Sequence, residues 1–541
     1  MVISVLETSG PAVAQPVRPP RPAWYRPVGL LLVAPALVLL VTSYVIPAGW
    51  TVWASFHSVS FLRTGSGGEF TTSRYARVFD RGLAGDFGFA LSLAIVPLLA
   101  LLIIAPVLAW AAHAGGTVAR WVTRGSLVLP LAAYAPAAVA AASLVDRHRV
   151  RADVSTLPGV VRSLYWWGTF GLVTAVAVTL FLAALRRSDP QRSAWPALLV
   201  TAGVGAAAVL AVTLQEFTTP FVSTWGSHTA DTPLTELYFE VFVRGDASSG
   251  AAVSTLLLGV LFLLGAGVTV LVVRSGLRLE FDRGGRSPGG PASRAAGVAI
   301  GSVALLGVLA VTLYGLGPLL GHVFGDPAPA TPSRTSAGQI AANTWLPPLP
   351  PALVGVVAAA LAAFGISVLR PLGRHSEWLL LPFGLFLFVG IGPLATSAFA
   401  SAREAGSLNS SLGLVPPTWL AIPALFGLTL LLRGQSLRAQ AAERSPARQL
   451  LPVLPMVALA FLVTWVAHAQ ALLWPLLTVR DAKHDTGSLA VLRSVTEAGY
   501  AGGRPSFDAA LTPVTLALLF LLALAAQLFY LDRIALRVGS R

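Results

Sequence analysis

Four polar side chains lie at the ends of long apolar stretches of the sequence. Gln215 and Glu216 end one stretch in TLQEFTTP, and His468 and Gln470 end another in HAQALLWP. Polar and ionisable groups are costly inside a bilayer, so those in membrane spans are functional candidates. Amide and carboxylate groups can hydrogen-bond a polar solute, and the nearby Trp474 offers an aromatic face that can stack on a sugar ring.

Two interpretations of these residues stay open. In the first, the four polar side chains line a polar path through the membrane, together with Trp474. In the second, they lie at the outer membrane interface, bonded to neighbouring helices or water, and Trp474 and Trp225 belong to the interfacial aromatic belt. The sequence does not decide between them, because both apolar stretches end within a few residues.

No catalytic motif is present in the sequence. Lys483, in RDAKHD, is the single lysine and lacks the GxxxxGK[ST] context that binds nucleotide phosphates. The eight histidines form no HExxH pattern, and the chain has no cysteine. We therefore predict a protein that is not an enzyme and that holds no metal and no cofactor. Any ATP must be hydrolysed by a partner.

The composition indicates a membrane protein. Of 541 residues, 55% are hydrophobic and 11% are charged, and the mean hydropathy is +0.74. A helix needs roughly 20 apolar residues to cross a bilayer. The sequence predicts an all-α polytopic protein with about twelve spans, near 28–50, 85–112, 122–145, 163–184, 194–214, 250–273, 295–320, 351–369, 376–398, 413–433, 450–474 and 509–531.

The distribution of charge predicts the orientation. The net charge is +14, which in a polytopic protein first reports the Lys/Arg bias of cytoplasmic loops rather than a nucleic-acid partner. With the N-terminus inside, the inner segments hold 22 Lys/Arg and 7 Asp/Glu, against 15 and 16 in the outer ones. We therefore expect both termini in the cytoplasm.

The spans divide into two comparable sets of six. Thr213, Gln215 and Pro220 recur as His468, Gln470 and Pro475 at an offset of 255 residues, and each set ends the fifth span of its half. The predicted division is a disordered cytoplasmic tail at 1–27, a six-span half at 28–273, a basic Gly-rich cytoplasmic linker at 274–294 and a second six-span half at 295–541. Parallel repeats of this kind are common in transporters.

Both halves resemble the membrane subunits of binding-protein-dependent ABC importers of the maltose and multi-sugar type. The first half opens with LLLVAPALVLLVTSYVIPAGWTVWASFHSVSF and ends with QEFTTPFVSTWGSHTADTPLTELYFEVFVRGDASSGAAVSTLLLGVLF. The second contains IAANTW, SLNSSLGLV and AQALLWPLLTVRDAKHDTGSLAVL, which are similar to segments of the partner subunit. The resemblance implies two permease subunits fused in one chain.

The resemblance also implies a loop, EAAxxxG, between the fourth and fifth spans of each half, which docks into the ATPase. The second half has QAAERSP there, with Gln440, Ala441 and Ala442 at the EAA positions, Glu443 after them and Pro446 in place of the glycine. The first half has ALRRSDPQRSAWP, with no EAA and no glycine, in which Arg186, Arg187 and Arg192 are basic. Proline breaks helix interiors, so both coupling loops are degenerate. These arginines, with Arg438, Arg444 and Arg448 of the second half, are either contacts for an acidic partner or residues that set the topology.

We expect a permease that imports a sugar or similar polar solute across the bacterial plasma membrane by alternating access. Its implied partners are separate ABC ATPase subunits inside and an extracytoplasmic solute-binding protein outside. The excess of arginine over the single lysine favours a GC-rich bacterial source. Two alternatives remain: a permease-derived membrane scaffold or receptor that has lost ATPase coupling, and an ion-coupled secondary transporter that uses Glu216 and His468.

Overall fold

The chain is a multi-pass, all-helical membrane protein. The computed structural model describes residues 24–59, 70–148, 156–186, 193–224, 228–281, 290–325, 335–441, 451–501, 507 and 510–539. Nine helices in these ranges are long and apolar enough to cross a membrane, and the count is ten if one sharply bent pair forms a single span. The predicted count of twelve is therefore not reached in the described part of the chain.

The N-terminal half is here the described part before residue 282. Its first span joins α1 (Tyr25–Leu40) to α2 (Ile46–Phe56) through a π-helical turn at Val41–Val45. The other elements of this half are α3 (Ser73–Asp80), α4 (Leu83–Leu93), α5 (Ile95–Leu99), a π turn (Ala100–Ile104), α6 (Ala105–Gly115), α7 (Thr117–Ser126), α8 (Val128–Ala132), α9 (Pro136–His148), α10 (Leu157–Leu185), α11 (Trp195–Leu214), α12 (Thr218–Thr224), α13 (Pro233–Tyr238), a π turn (Phe239–Val243), α14 (Ala247–Ser275) and β1 (Arg278–Phe281).

The C-terminal half is the described part from residue 290 onward, and it follows the same order. Its elements are α15 (Pro291–Phe324), α16 (Ala337–Trp345), α17 (Leu349–Phe364), a π turn (Gly365–Leu369), a 3-10 turn (Gly373–Leu380), α18 (Leu381–Gly384), a 3-10 turn (Gly392–Leu394), α19 (Ala395–Glu404), α20 (Ile422–Ala441), a 3-10 turn (Leu451–Val453), α21 (Leu454–Ala469), α22 (Leu473–Thr478), a 3-10 turn (Ala482–His484), α23 (Gly487–Ala501), α24 (Pro513–Ala525), a π turn (Ala526–Tyr530), a 3-10 turn (Leu531–Arg533) and β2 (Ile534–Arg537).

Three pairs of corresponding elements keep a nearly constant spacing. The spans Leu83–Gly115 and Ala337–Leu369 have 33 residues each and begin 254 residues apart. Helices α12 and α22 begin 255 residues apart, and β1 and β2 begin 256 apart. The offset found in the sequence at only two identical side chains thus recurs in these three pairs of elements.

Two predicted spans of the C-terminal half differ from continuous apolar helices. The run at 376–398 is divided among a 3-10 turn, α18, a non-helical stretch at 385–391 and α19. Its sequence carries Pro382, Gly384, Gly390 and Pro393, and proline and glycine both disfavour a helix interior. The run predicted at 413–433 becomes α20, which begins nine residues later, at Ile422, and ends in a polar segment.

Each half packs its first and last spans against the other half. The first span of the C-terminal half, α15, packs on α6, α9 and α10, while α1 packs on α17. The last spans α14 and α24 pack on α18 and α8. Gly265 of α14 shows how close this approach is, because a Cβ there would lie 2.1 Å from the carbonyl oxygen of Gly384. Small residues permit such backbone contact between membrane helices.

The chain ends of the two halves pair in a two-stranded antiparallel ribbon. Strands β1 and β2 join Arg278 to Arg537 and Phe281 to Ile534. Strand β1 packs on α20 of the C-terminal half, and β2 packs on α10 of the N-terminal half. We call the side of the molecule that holds this ribbon the ribbon side, which is the cytoplasmic side in the predicted orientation.

Candidate functional site

Both third spans are broken at equivalent positions. In the N-terminal half, residues 133–135 separate α8 from α9, and the two arms of the span are bent by 85°. In the C-terminal half, residues 385–391 separate α18 from the turn before α19. Pro136 and Pro393 follow the breaks, and a proline disfavours helix in the residue before it. Discontinuous helices where two repeats meet form the substrate sites of many transporters, so the candidate site lies here.

Gln215 bridges the two halves at the second break. Its Nε2 donates to the carbonyl oxygens of Ala211 at 2.8 Å and Phe388 at 2.7 Å. Its Oε1 accepts the backbone N–H of Gly390 at 2.8 Å. The backbone groups freed by a broken helix need partners inside a membrane. The amide of Gln215 supplies them for two residues inside the break.

Glu216, the next residue, bonds within its own half. Its Oε1 accepts the N–H of Thr219 at 2.8 Å, and its carbonyl oxygen accepts the hydroxyl of Thr232 at 2.6 Å. The residue after it, Phe217, packs in the same buried cluster as Ala133 and Ala135 of the first break. The segment that follows α11 therefore lies beside the breaks of both third spans.

The corresponding residues of the C-terminal half make different contacts. Gln470 is buried, and its Nε2 donates to the carbonyl oxygen of Ala510 at 3.2 Å, within its own half. His468 is half-buried, and its Nδ1 has no hydrogen-bond partner in the described ranges. Gln215 and Gln470 thus occupy equivalent positions but differ in their contacts, since of these two only Gln215 bonds to the other half.

Trp474 is an interior residue. It lies on α22 with 4% of its surface exposed, and its Nε1 donates to the carbonyl oxygen of Val415 at 3.0 Å. A tryptophan of the interfacial belt would lie at the lipid-facing surface. The belt interpretation therefore does not describe Trp474, and Trp225 lies outside the described residues.

Arg186 is paired within the chain. It forms an ion pair of 3.6 Å with Asp532, which also pairs with Arg120 at 3.5 Å and Arg124 at 3.4 Å. The Nη1 of Arg124 also donates to Gln527 at 2.8 Å. This cluster joins α7, the end of α10 and the C-terminal segment on the ribbon side. Sequence reasoning missed it, because its members are distant along the chain.

The degenerate coupling loop lies mostly outside the described residues. Arg187, Ala442, Glu443 and Pro446 fall in undescribed segments. Gln440 and Ala441 form the last turn of α20, so the QAA residues begin as a continuation of the fourth span rather than as a separate helix. Arg438, two residues earlier, pairs with Glu280 of β1 at 3.4 Å.

A second group that sequence reasoning missed lies on the side opposite the ribbon. The Nη1 of Arg244 donates to the Oε1 atoms of Glu236 at 3.0 Å and Glu240 at 2.6 Å, and Arg81 also pairs with Glu240. Burial and a hydrogen bond with Glu240 raise the pKa of Glu236 to about 7. The four-residue spacing of Glu236, Glu240 and Arg244 on one helix face is the signal that could have shown this group.

Three side chains of this region have the spacing of metal ligands. Among the described residues, ligand atoms of His228, Asp231 and Glu236 lie within 4.8 Å of one another. His228 Nδ1 is already 3.1 Å from Asp231, and Glu236 is paired with Arg244. Since Arg244 and His228 already bond these carboxylates, the group has the character of a network of hydrogen bonds and ion pairs.

The chain matches no model of a known protein family, and no curated protein sequence matches it.

Proposed function

We propose that this protein is the membrane-spanning permease component of an ABC transporter in a bacterial plasma membrane, and that it imports a sugar or similar polar solute by alternating access. The observation that carries the proposal is the junction at Gln215 and Glu216. There, the amide of Gln215 in one half bonds the broken third span of the other half, and the residues that follow it pack beside the broken third span of their own half. Such an arrangement fits a path between two repeats that rearrange relative to each other.

The energy source in this proposal is a separate ATPase, with a solute-binding protein as the external partner. The conversion of ATP hydrolysis into movement requires contact with the ends of the fourth and fifth spans on the ribbon side. Helix α20 continues into the QAAERSP segment. This continuation supports a contact of the ATPase with the end of α20 rather than with a separate docking helix. In this proposal the chain has twelve spans, and both termini lie in the cytoplasm.

One observation favours the scaffold or receptor alternative. Arg186 and Arg438, at the inner ends of the two fourth spans, pair with Asp532 and Glu280 of the same chain. Basic side chains that are neutralised internally contribute less to an acidic partner. A protein that has lost its ATPase would retain these internal pairs.

Recovery of partners from native membranes tests the proposal. The tagged full chain should retain an ATPase subunit in mild detergent, and a deletion strain should lose uptake of one member of a panel of labelled sugars. Uptake should stop when ATP is depleted. Repeated absence of an ATPase, with no uptake defect, would favour the scaffold. Uptake that survives ATP depletion and collapses with a protonophore would favour the ion-coupled transporter.

Gln215→Leu separates the junction from the rest of the fold in the same assay. The change removes the bridge to Phe388 and Gly390 and should reduce uptake, while the chain still reaches the membrane. Gly427→Leu is a matched control, since a Cβ at that position on α20 would have open space around it, with nothing within 4 Å. Equal uptake by the two variants would contradict a role for the junction in transport.

A further inference from the structure

A cavity of about 290 Å³ lies between the first span of the N-terminal half and the C-terminal half. The N-terminal half contributes Thr42, Ser43 and Pro47, from the π-helical turn and the start of α2. The C-terminal half contributes residues of α19 and the turn before it, of the loop before α20 and of α22. Those that matter most are Ser401, Ser407, Leu412, Val415, Thr418 and Trp474.

The walls of the cavity are held by specific bonds across the two halves. Tyr44 donates its hydroxyl to the carbonyl oxygen of Leu420 at 3.0 Å, and the N–H of Trp419 donates to Ser43 Oγ at 3.3 Å. The indole N–H of Trp474 fixes the loop through Val415. π-Helical turns occur often at functional sites, and here one presents two hydroxyl groups to the cavity.

The lining is mostly apolar, but it carries hydroxyl groups and no charge. Five hydroxyl side chains line the cavity, and none of its lining residues is ionisable. The hydroxyls of Ser401 and Thr418 have no hydrogen-bond partner among the described residues. The hydroxyl of Thr42 donates to the carbonyl oxygen of Val38 at 2.9 Å, so its own oxygen remains free to accept a hydrogen bond. An ion would lose its hydration here without a counter-charge, which is costly.

The size of the cavity limits its occupant. Pockets for small molecules span roughly 300–1,000 Å³, and this cavity lies at the lower end of that range. It suits one ring rather than an extended chain. Hydroxyl groups on the occupant can pair with the donors and acceptors of the lining, and Trp474 adds an apolar wall.

We propose that this cavity is a binding site for a neutral, hydroxyl-bearing molecule of about one sugar ring. The ring is either a free solute or the headgroup of a membrane lipid, because exposed Thr42 and Leu412 lie at the rim. The site is separate from the junction at Gln215 and Glu216. A role of this site in transport rests on the proposed function. Binding itself does not, because it requires no ATPase.

Binding to the purified full chain tests this inference. Nanodiscs of phosphatidylglycerol contain no sugar, so labelled glucose can be titrated directly. We expect saturable binding, with glucuronate and glucosamine at least tenfold weaker because each keeps the ring but carries a charge. A second preparation with a monoglucosyl lipid in the nanodisc shows the source of the ring. If the lipid occupies the site, free glucose binds at least tenfold more weakly there than in lipid without sugar, or fails to bind at all.

Two variants report on the site itself. Ser401→Leu fills the cavity without removing a protein hydrogen bond and should weaken binding at least tenfold, whereas Gly427→Leu should leave it unchanged. The milder Ser401→Ala with Thr418→Val removes two hydroxyls and should weaken binding severalfold in a chain with wild-type thermal stability.

Two results would overturn the inference: neither ring source binds the wild-type chain, or Ser401→Leu binds as well as Gly427→Leu. Intact binding with no uptake would instead count against the proposed function and leave this site standing.

Discussion

Replacement of Gln215 by leucine should weaken the contact between the two halves more than the same change at Gln470. Gln215 makes three hydrogen bonds of 2.7 to 2.8 Å, two of them to the broken span of the other half. Gln470 makes one bond of 3.2 Å within its own half. The two residues occupy equivalent positions, so one substitution serves as the control for the other.

The magnitude follows from the number of bonds and from what they leave behind. Side-chain hydrogen bonds inside membrane proteins contribute about 0.6 kcal/mol each on average. The carbonyl oxygen of Phe388 would also lose its partner, and a buried unsatisfied group costs about 1–3 kcal/mol. Gly390 is exposed, so its N–H can find another partner. The carbonyl oxygen of the buried Ala510 would likewise lose this partner in Gln470→Leu. We expect about 3–5 kcal/mol for Gln215→Leu and about 2–4 kcal/mol for Gln470→Leu.

Unfolding in mixed micelles with increasing dodecyl sulfate, followed by circular dichroism, measures both changes. Gln215→Glu separates the two ends of the amide, since a carboxylate accepts from Gly390 but cannot donate to Phe388. It should fall between wild type and Gln215→Leu. Equal losses for the two leucine variants, or no loss at Gln215, would refute the bridge as an energetic contact between the halves.

Three further changes have defined outcomes. The pKa of Glu236 is raised from 4.5 to about 7 in the folded chain. Its contribution to stability is therefore fully present below pH 4.5 and is lost as the pH rises through 7. Thermal unfolding at pH 5.5 and 8 should show this loss, and Glu236→Gln should reduce the difference between the two melting temperatures. Gly434→Ala places a Cβ against the carbonyl oxygen of Leu279 on β1 and should lower the melting temperature, whereas Gly427→Ala, on the same helix with open space, should leave it equal or raise it slightly. Asp532→Asn removes the carboxylate that pairs with the buried Arg120 and Arg124 and with the half-buried Arg186, and it should cost about 3–5 kcal/mol. Asp481→Asn, at an exposed pair, should leave chemical unfolding unchanged.

The sequence predicted the class of fold and its repetition for a clear physical reason. Membrane spans are long and uniformly apolar, so composition alone reveals them. The same uniformity hides a break, because residues 385–391 are as apolar as a helix. Only the glycines and prolines around Gly390 and Pro393 indicated that the run at 376–398 could not be one span.

The candidate site was predicted in its residues but not in its contacts. Gln215 and Glu216 stood out because polar groups are rare in such a sequence. Their partners are mostly backbone groups and small hydroxyls, and Phe388 lies 173 residues away along the chain. A backbone carbonyl has no sequence signature. The ion pair of Arg186 with Asp532 was equally invisible, since charge alone does not identify a partner.

The register of the ribbon bears on the ancestry of the chain. A shift by 256 residues converts the pair Arg278 and Arg537 into the pair Phe281 and Ile534, and it converts Leu279 and Leu536 into Glu280 and Ala535. The pairing is therefore self-complementary, as it would be between two identical half-length chains around a twofold axis. A duplicated gene whose product once formed a homodimer would leave this trace after fusion. Two separately expressed halves, divided between β1 and α15, would each keep one strand of the ribbon. We therefore expect them to reassemble through the same pairing of β1 with β2.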